Sequence, residues 1–476
     1  MSIALKLLLV TLGIAYLTLL LAVLGWILAI KKETGSVLVW AAVVIVIPFL
    51  GMLVFVWFGY DRVHRRLRRK IRKHLAYQSE TERPGSGADE FPSELARGLC
   101  TLAETLDGYP PTNGNHVTLY SETEQSYAEI LKLIDSARHH IHLEYYIFQP
   151  DGIGKQLIEH LIERRKDGVE VRLLYDSFGS LFLRRGMLRA LRDAGGRTGS
   201  FLEVSSLWRQ YQISLRNHRK LIIIDGQKAM IGGMNIGEEY LGKCKHYGYW
   251  RDSNLLIEGP AVASLQHLFI EDWEFATEER MEGEEYYPKM EPRGDELIQI
   301  ISGGPDQARS TLRGVIYAAL TRAKERIWIT TPYFVPDAGL IDALQLACRS
   351  NVDVRLLIPN RADSWLTWYA SRYFLRDLFP EGIKVFQYNH GYLHAKTIVI
   401  DDEWAFVGSA NFDNRSMHLN FELGCALMST ERVMEVAQDF ERDCSNASPI
   451  FQKDLDSLPF YKRALENFAR LFAPIL

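Results

Sequence analysis

Residues 216–235 read RNHRKLIIIDGQKAMIGGMN, and the rest of the chain is organised around them. Their β-branched apolar run, residues 221–224, predicts a short buried strand. His218 and Lys220 stand two positions apart at the start of this strand, so both side chains point to the same side of the sheet. Asp225 stands an odd number of positions from Lys220, so its side chain has the opposite parity and points to the other side of the sheet. It closes the strand into a turn. An imidazole beside an ammonium can bind a phosphate and supply a nucleophile, although a single copy could equally be an ordinary strand with polar flanks.

The same pattern occurs a second time as HAKTIVIDDEWAFVGSAN, which contains His394, Lys396 and Asp401. The asparagine follows the histidine by seventeen positions in both copies (218 to 235, and 394 to 411). Upstream, IHLEYYIFQPD parallels IWITTPYFVPD, and GVEVRLLYDS parallels NVDVRLLIPN. A repeat of this length predicts two similar halves, each with one histidine, lysine and aspartate.

Length and composition limit the classes of protein. A chain of 476 residues has room for two to three domains. Its net charge of −4 lacks the basic footprint of a nucleic-acid-binding protein. Its 5 cysteines are odd in number and form no CxxC pair, which favours free thiols in a reducing compartment. No spacing of histidine and cysteine predicts zinc, and we expect no metal or other cofactor.

Two long apolar runs precede the repeat. Residues 7–30 and 35–60 carry no charge, and each exceeds the roughly 20 residues that cross a bilayer as a helix. We therefore predict two transmembrane helices joined by a hairpin at residues 31–34. A cleaved signal peptide is the alternative for the first run, but no persuasive cleavage site follows it. Pro48 and Gly51 predict a kink or a close helix contact in the second run.

A basic run follows the second apolar segment, whereas the hairpin holds only two basic residues. The positive-inside rule then places both ends of the hairpin, and the whole chain after it, in the cytoplasm. The same run could bind anionic lipid head groups. Its members are Arg62, Arg65, Arg66, Arg68, Arg69, Lys70, Arg72 and Lys73.

The rest of the chain divides by composition and periodicity. Strand-like runs alternate with helical stretches in both copies of the repeat, which predicts an α/β fold with a mixed sheet flanked by helices in each half. The predicted parts after residue 60 are a basic segment and linker at 61–115, a first half at 116–283, a second linker at 284–295, a second half at 296–444 and an amphipathic tail at 445–476.

Two aromatic segments could pack in the core or meet a membrane. Residues 363–379 predict a helix rich in tryptophan and tyrosine, and core packing is the commoner use of such a helix. In the tail, Tyr461, Leu465, Phe468 and Phe472 have helical spacing. The tail could dock on the protein or on the bilayer, with the protein slightly favoured.

The paired HxKxxxxD motifs, followed by GGMN and GSAN, resemble the phospholipase D superfamily. PPTNGN, YYIF, DSFGS, NHRK, WRD, TTPYFVPD, LHAK, GSANFDNRS and LNFE, with the two apolar runs, narrow the resemblance to bacterial cardiolipin synthases. The resemblance implies two phospholipase D-like α/β halves around a pseudo-two-fold axis, with one active site at the seam and a transmembrane hairpin in front. It further implies a multi-pass protein of the bacterial inner membrane, with a cytoplasmic catalytic part and no metal.

The activity implied by the resemblance is transfer of a phosphatidyl group from one phosphatidylglycerol to another, through a phosphohistidine, to give cardiolipin and glycerol. Such a transfer needs a nucleophile, an acid–base group and cations on the phosphoryl oxygens. By resemblance His218 is the nucleophile and His394 the acid and base, with the reverse assignment open. Lys220 and Lys396 would neutralise the phosphoryl oxygens.

Supporting residues follow from the motifs. Each histidine needs a partner that fixes its tautomer. We expect Glu422 to serve His394 and Asp252 to serve His218, with an ion pair between Asp252 and Arg251 as the alternative. Further expected roles are hydrogen-bond donation by Asn235 and Asn411 and close backbone approach at Gly233 and Ser409. Asp225 and Asp401 belong to the family's motif but face away from the lysines, so we expect them either to anchor the turn or to pair with a basic group.

Other activities share some of these features. A phospholipase D that uses water or another alcohol as acceptor has the same motifs. A nuclease of the superfamily is disfavoured by the acidic net charge and the apolar N-terminus, and an inactive scaffold by the two intact motifs. The expected partners are phosphatidylglycerol and other anionic membrane lipids, and not nucleic acid.

Overall fold

The structure is a computed structural model that describes residues 3–30, 34–47, 49–56, 70, 90–106, 108–183, 185–202, 215–244, 247–307, 310–361 and 363–476. The chain forms two compact units, Met1–Leu67 with Val204–Ile213, and Arg68–Glu203 with Ser214–Leu476. Residues 31–33 of the predicted hairpin, Pro48 and all of the basic run except Lys70 lie outside the described residues. Both copies of the repeat belong to the second unit.

The first unit contains helices α1 (Ile3–Ile30), α2 (Thr34–Val46) and α3 (Leu50–Val54). Among its described residues, one stretch, Ile3–Ala29, is a helix long and apolar enough to cross a membrane. The second predicted span is interrupted, because Phe49 between α2 and α3 has a left-handed φ of 58°. Gly51 packs so closely on the carbonyl of Val43 that a Cβ atom would lie 2.4 Å from its oxygen. The predicted break in the second run is therefore present.

The second unit alternates strands and helices along the chain. Its helices are α4 (Glu94–Thr105), α5 (Thr123–Ser136), α6 (Gly152–Lys166), α7 (Arg185–Asp193), α8 (Ala261–Thr277), α9 (Thr311–Arg322), α10 (Ala338–Arg349), α11 (Trp365–Leu378), α12 (Asn414–His418), α13 (Thr430–Ser445), α14 (Gln452–Asp456) and α15 (Phe460–Ala469). Its strands are β1 (Thr112–Glu122), β2 (His140–Tyr145), β3 (Glu170–Asp176), β4 (Arg197–Phe201), β5 (Arg216–Asn217), β6 (Lys220–Ile224), β7 (Lys228–Gly232), β8 (Trp250–Glu258), β9 (Glu296–Gly303), β10 (Arg326–Thr330), β11 (Phe334–Val335), β12 (Asp353–Pro359), β13 (Lys384–Tyr388), β14 (Tyr392–Leu393), β15 (Thr397–Ile400), β16 (Trp404–Gly408), β17 (Phe412–Asp413), β18 (Asn420–Leu427) and β19 (Ala447–Ile450).

The repeat builds the same mixed sheet twice. The first sheet has the order β4-β3-β2-β6-β7-β8-β1, and the second has the order β13-β12-β10-β15-β16-β18-β9. In each sheet the first three strands are parallel and the others antiparallel, and helices pack on the faces. The predicted α/β fold with two similar halves is confirmed.

In the described part of the chain, three strand pairings join the halves. β5 pairs in parallel with β18, and β14 pairs in parallel with β8, so each short strand before a histidine leaves its own sheet and meets the opposite half. β1 and β9, the equivalent edge strands of the two sheets, pair with each other. The two halves therefore form one continuous body within the second unit.

The structure differs from the prediction at the two linkers. Within 61–115, α4 packs the apolar side chains of Ala96, Leu99, Cys100 and Ala103 into the core of the second half. These positions follow a helical period that the turn-rich residues around them mask. Within 284–295, Tyr286 is buried and its hydroxyl donates to Glu170 at 2.9 Å. The tail begins with β19, which extends the second sheet beside β13.

The aromatic helix and the tail pack on each other. α11 buries Ala370, Leu375 and Leu378. α15 docks on α11 through Ala469 and through Glu466, whose carboxylate accepts from Arg376 at 3.0 Å. The tail therefore docks on the protein, but not through the predicted face, because Tyr461 and Phe468 are exposed.

Candidate active site

The two histidines occupy equivalent positions at the seam between the halves. Each follows a short strand that pairs with the opposite half, and each precedes a buried strand of its own half. The backbone N–H of His218 donates to the carbonyl of Phe421 at 2.9 Å, and that of His394 donates to the carbonyl of Arg251 at 2.7 Å. A strand of the opposite half therefore holds each histidine in place.

The carboxylates that bind the histidines are exchanged across the seam. His218 Nδ1 lies 2.9 Å from Glu422 Oε2, and His394 Nδ1 lies 2.7 Å from Asp252 Oδ2. The predicted pairing, Glu422 with His394 and Asp252 with His218, is wrong. It assigned Glu422 within its own half, whereas the pairing of β18 with β5 and of β8 with β14 carries each carboxylate to the other half. The alternative ion pair of Asp252 with Arg251 is also wrong, since the Arg251 guanidinium donates to the backbone carbonyl of Asp252 and not to its carboxylate.

Residues 233 and 409 correspond in the repeat but act differently. A Cβ atom at Gly233 would lie 2.0 Å from Asp252 Oδ1, so glycine makes room for that carboxylate. The hydroxyl of Ser409 instead donates to Glu422, which also accepts from the Asn420 amide at 3.0 Å. Burial alone would raise the pKa of Glu422, but His218, Lys220 and Ser409 outweigh it and lower that pKa to about 2.

Both imidazoles are neutral near pH 7. Burial lowers the pKa of His218 to about 4 against the opposing charge of Glu422. Burial and the neighbouring Lys396 lower the pKa of His394 to about 4 against the opposing charge of Asp252. A neutral imidazole that donates from Nδ1 to a carboxylate presents the lone pair of Nε2 to a substrate.

The two lysines point to the histidine side of the sheet, as their parity predicts. Lys220 Nζ donates to the carbonyl of His218 at 2.7 Å, and Lys396 Nζ donates to the carbonyl of His394. Burial lowers the pKa of Lys220 well below its usual value and that of Lys396 to about 8. An anionic occupant beside these two buried amines would raise their pKa values and stabilise the ammonium forms, and a phosphodiester has that charge.

The motif asparagines follow β7 and β16, the strands that pair with β6 and β15. The side-chain oxygen of Asn235 accepts from the backbone N–H of Ile147 at 3.2 Å. The backbone N–H of Asn411 donates to Ser416 at 3.1 Å, while its side-chain oxygen is buried and has no hydrogen-bond partner in the described part of the chain. The side-chain oxygen of Asn411 thus keeps unused capacity to accept a hydrogen bond. Among the described residues, no cluster of three or more histidine, cysteine or acidic side chains could hold a metal ion.

The motif aspartates lie at the far end of the strands from the histidines. Asp225 accepts from the consecutive backbone N–H groups of residues 138, 139 and 140 at 2.9, 2.7 and 2.9 Å. Asp401 accepts from residues 324, 325 and 326 at 3.0, 2.8 and 2.9 Å. Both have left-handed backbones, with φ of 53° and 50°. Each aspartate therefore anchors the loop before the neighbouring strand, as its parity predicts, and does not reach the lysines.

Tyr146, which sequence reasoning did not single out, lies against both members of the first motif. Its ring centroid is 4.9 Å from that of His218 and 5.4 Å from Lys220 Nζ. Burial raises the pKa of Tyr146 to about 12. The available signal was its place in YYIF, directly after β2, the strand that pairs with β6.

Lys70 is a second residue whose place the sequence did not indicate. Its ammonium is buried in the second unit and donates to Asp272 at 2.6 Å and to Asp306 at 2.7 Å. It also lies 4.8 Å from the ring of Phe421, the residue before Glu422. These carboxylates outweigh the effect of burial and raise the pKa of Lys70. Lys70 is one basic residue among many in its run, so the sequence does not distinguish it from the others. Its buried ion pairs are evident only from the fold.

Arg219 joins the same buried cluster behind Glu422. Its guanidinium pairs with Asp272 and donates to the backbone carbonyl of Glu422 at 3.2 Å. On the other side of the pseudo-two-fold axis, Arg251 pairs with Asp439 and Asp443 at 3.2 and 2.9 Å. Each histidine–carboxylate pair is therefore backed by buried ion pairs.

Known proteins resemble the chain over nearly its whole length. The family model described as cardiolipin synthase, PLD-like domain, matches residues 130–273 and 316–444. The chain is 39% identical over 451 residues to the cardiolipin synthase of Geobacillus thermodenitrificans, covering 94% of this chain and 90% of that protein. It is 36% identical over 454 residues to the cardiolipin synthase of Alkalihalophilus pseudofirmus, with the same coverage of 94% and 90%.

A solved structure agrees in fold. The phosphatidylserine synthase of Haemophilus influenzae Rd KW20 matches with a TM-score of 0.60 at 14% identity, covering 76% of this chain and 95% of that chain. At this identity the match concerns the fold alone.

We predict that Asp225→Ala destabilises the protein and leaves the hydrogen bonds of His218 and His394 in place. The variant removes the acceptor of three backbone N–H groups, so the free energy of unfolding should fall by about 2–4 kcal/mol. Thermal unfolding of the purified protein in detergent measures the effect. Asp402→Ala is the matched control, because Asp402 is exposed and pairs with Arg326 at the surface. An unchanged unfolding temperature for Asp225→Ala would contradict the anchoring role.

We predict that the buried ion pairs of Lys70 stabilise the second unit. Lys70→Met leaves Asp272 buried with one cation fewer, so the free energy of unfolding should fall by about 3 kcal/mol. Lys132→Met removes the same charge from an exposed position on α5, where Lys132 pairs with Glu129, and should leave unfolding nearly unchanged. Thermal unfolding of the full chain in detergent compares the two. If both variants unfold alike, the ion pairs of Lys70 do not stabilise the fold.

Proposed function

The chain belongs to the cardiolipin synthases, phosphatidyltransferases of the phospholipase D superfamily, and we propose that it transfers a phosphatidyl group from one phosphatidylglycerol to another. The products are cardiolipin and glycerol. The observation that carries this proposal is the pair of neutral histidines at one seam, each bound to a carboxylate of the opposite half and each beside a buried lysine.

The first half of the reaction forms a covalent intermediate. His218 Nε2 attacks the phosphorus of the donor lipid, a P–N bond forms, and the P–O bond to the head-group glycerol breaks. The departing alkoxide takes a proton from His394 and leaves as glycerol. Glu422, which stays ionised, stabilises the positive charge that develops on the His218 ring.

The second half of the reaction reverses the roles at phosphorus. A glycerol hydroxyl of the second phosphatidylglycerol gives its proton to His394, and its oxygen attacks the phosphohistidine. The new P–O bond gives cardiolipin, and the breaking P–N bond frees His218. The atoms balance, and His394 regains the proton that it donated in the first half.

The charges of the site support this division of work. A nucleophile must be unprotonated, and burial keeps His218 so. An acid must carry a proton, and the phosphodiester anion favours protonation of His394, whose imidazolium Asp252 would stabilise. Lys220 and Lys396 would neutralise the phosphoryl oxygens, with Asn235 and Asn411 as further hydrogen-bond donors.

We further propose a multi-pass protein of the bacterial inner membrane with its catalytic unit in the cytoplasm. The long apolar helix α1 supports membrane association. The basic run at residues 62–73 supports a cytoplasmic location for the catalytic unit. The apolar character of residues 35–60 supports a second crossing, made by an interrupted helix.

We predict that the purified protein converts labelled phosphatidylglycerol into cardiolipin and free glycerol. His218→Ala and His394→Ala should each lower the rate by at least about a thousandfold, because neither histidine can do both jobs. Phosphatidic acid without cardiolipin would show that water is the acceptor, and would refute the transferase. A panel of other lipids and alcohols in the same assay tests the choice of donor and acceptor.

The exchanged carboxylates predict different defects for two conservative variants. Glu422→Gln should lower formation of phosphohistidine at residue 218 by at least about a hundredfold, since it removes the charge that stabilises the attacking ring. Asp252→Asn should slow the steps that His394 catalyses, so that phosphohistidine which does form persists longer. Acid quenching with labelled donor lipid, followed by peptide mapping, measures both. Phosphate on residue 394 would reverse the assignment of the two histidines.

A further inference from the structure

Two loops that correspond in the repeat lie beside the two histidines. β3 and β12 are equivalent strands. β3 lies next to β2, which pairs with the motif strand β6, and β12 lies next to β10, which pairs with the motif strand β15. The chain leaves β3 through a turn at residues 177–183, and after β12 it enters the first turn of α11. Both places expose large apolar side chains.

The first loop is fastened to the strand that carries His218. Asp176 at the end of β3 accepts from the backbone N–H of Asn217 at 2.9 Å. The hydroxyl of Ser180 donates to the carbonyl of Tyr146 and accepts from the backbone N–H of Phe148, both at 3.0 Å. Tyr146 itself packs on the His218 ring. A side chain on this loop therefore has a fixed position relative to the nucleophile.

The tip of this loop is apolar and unusually accessible. Phe178 is 46% exposed, Leu181 is 61% exposed and Phe182 is 75% exposed. Three large apolar side chains within five positions, all reaching into solvent, are typical of an interaction site. The polar bonds beneath them hold the loop in this outward arrangement.

The equivalent place in the second half lies beside the strand before His394. Asp363 accepts from the hydroxyl of Tyr333, and Ser364 caps α11 by accepting from the backbone N–H of Thr367. Trp365, the first residue of α11, is 58% exposed. Tyr392, which precedes His394 by two positions, packs its ring 6.1 Å from the histidine ring and lines the same small cavity as Tyr333 and Asp363.

Charge next to the first loop identifies the kind of partner. Arg185 and Arg189 on α7 follow the apolar tip directly, and both are exposed. The guanidinium of Arg216 lies 4.3 Å from the Phe178 ring. Apolar side chains bordered by arginine match the surface of an anionic phospholipid bilayer, where rings enter the acyl region and cations meet phosphate groups.

We propose that Phe178, Leu181, Phe182 and Trp365 form an apolar rim that inserts into the leaflet of an anionic phospholipid bilayer on both sides of the histidine pair. The proposal rests on the proposed function, because the substrates are lipids held in that leaflet. The rim lets acyl chains stay in apolar surroundings while the phosphate reaches the buried lysines. Duplication of the loop gives one apolar side to each of the two lipids that react.

The test compares one reaction with two forms of its substrate. The full-length protein is assayed on phosphatidylglycerol in vesicles and on short-chain phosphatidylglycerol dispersed below its micelle concentration. The double variant Leu181→Ser/Phe182→Ser should lower the ratio of the vesicle rate to the dispersed rate by at least about tenfold, since burial of two large apolar side chains is lost. Trp365→Ser should lower the same ratio to a smaller extent.

Leu346→Ser is the matched control, because Leu346 on α10 is 63% exposed and lies outside the rim. It should leave the ratio unchanged. An equal fall of both rates in the double variant would mean that the loop serves only folding or catalysis and would overturn the proposal. So would an unchanged ratio.

A second measurement does not depend on the activity or on the double variant. Phe182→Cys, labelled with an environment-sensitive fluorophore in the full-length protein, is compared with labelled Leu346→Cys in phosphatidylglycerol vesicles, with the labelled wild type as background. A blue-shifted emission at 182 that bilayer-embedded quenchers suppress, and none at 346, supports insertion. Emission at 182 like that in water overturns it. If instead the wild type makes no cardiolipin from either substrate form, the proposed function fails while the fluorophore still reports on the rim.

Discussion

Each half of the catalytic unit supplies the carboxylate that binds the histidine of the other half. Glu422 binds the histidine of the first half, and Asp252 binds the histidine of the second. Each exchange is made by a parallel pairing only two residues long, β5 with β18 and β14 with β8. Neither half holds a complete site, because a histidine without its carboxylate has neither a fixed tautomer nor a counter-charge. The duplicated fold is thus a requirement of the chemistry.

Burial shifts the pKa values of the groups at the seam, and it also requires that the ionised groups there be paired. In a site of low polarity, ionised groups are stable only when they are paired. The structure meets this need with ion pairs behind the seam: Arg251 with Asp439 and Asp443 on one side, and Arg219 and Lys70 with Asp272 on the other. The lysines in front of the histidines instead retain lowered pKa values. Their charge is satisfied when an anionic phosphodiester lies between them.

Local rules predicted the features that depend on one strand, and failed where two distant strands meet. Parity along the motif strand placed His218 and Lys220 together and turned Asp225 away, and the repeat transferred the same result to the second half. The resemblance then supplied fold and activity. Parity within a strand carries no information about which half a strand will pair with, so Glu422 and Asp252 were assigned to the wrong histidines. Lys70 was missed for the same reason, since its partners are about two hundred positions away, at residues 272 and 306.

The two halves are similar but unequal at the seam, and the inequality supports the proposed division of labour. Glu422 receives the Ser409 hydroxyl and the Asn420 amide, so it stays ionised and holds His218 in one tautomer. At the other histidine, Gly233 offers no such hydroxyl, and Lys396 Nζ lies 2.8 Å from His394 Nδ1 beside Asp252. A cation and an anion therefore act together on His394, and a phosphodiester that draws the lysine charge to itself makes protonation of the imidazole easier. Such a group suits proton transfer, whereas the fixed environment of His218 suits a nucleophile.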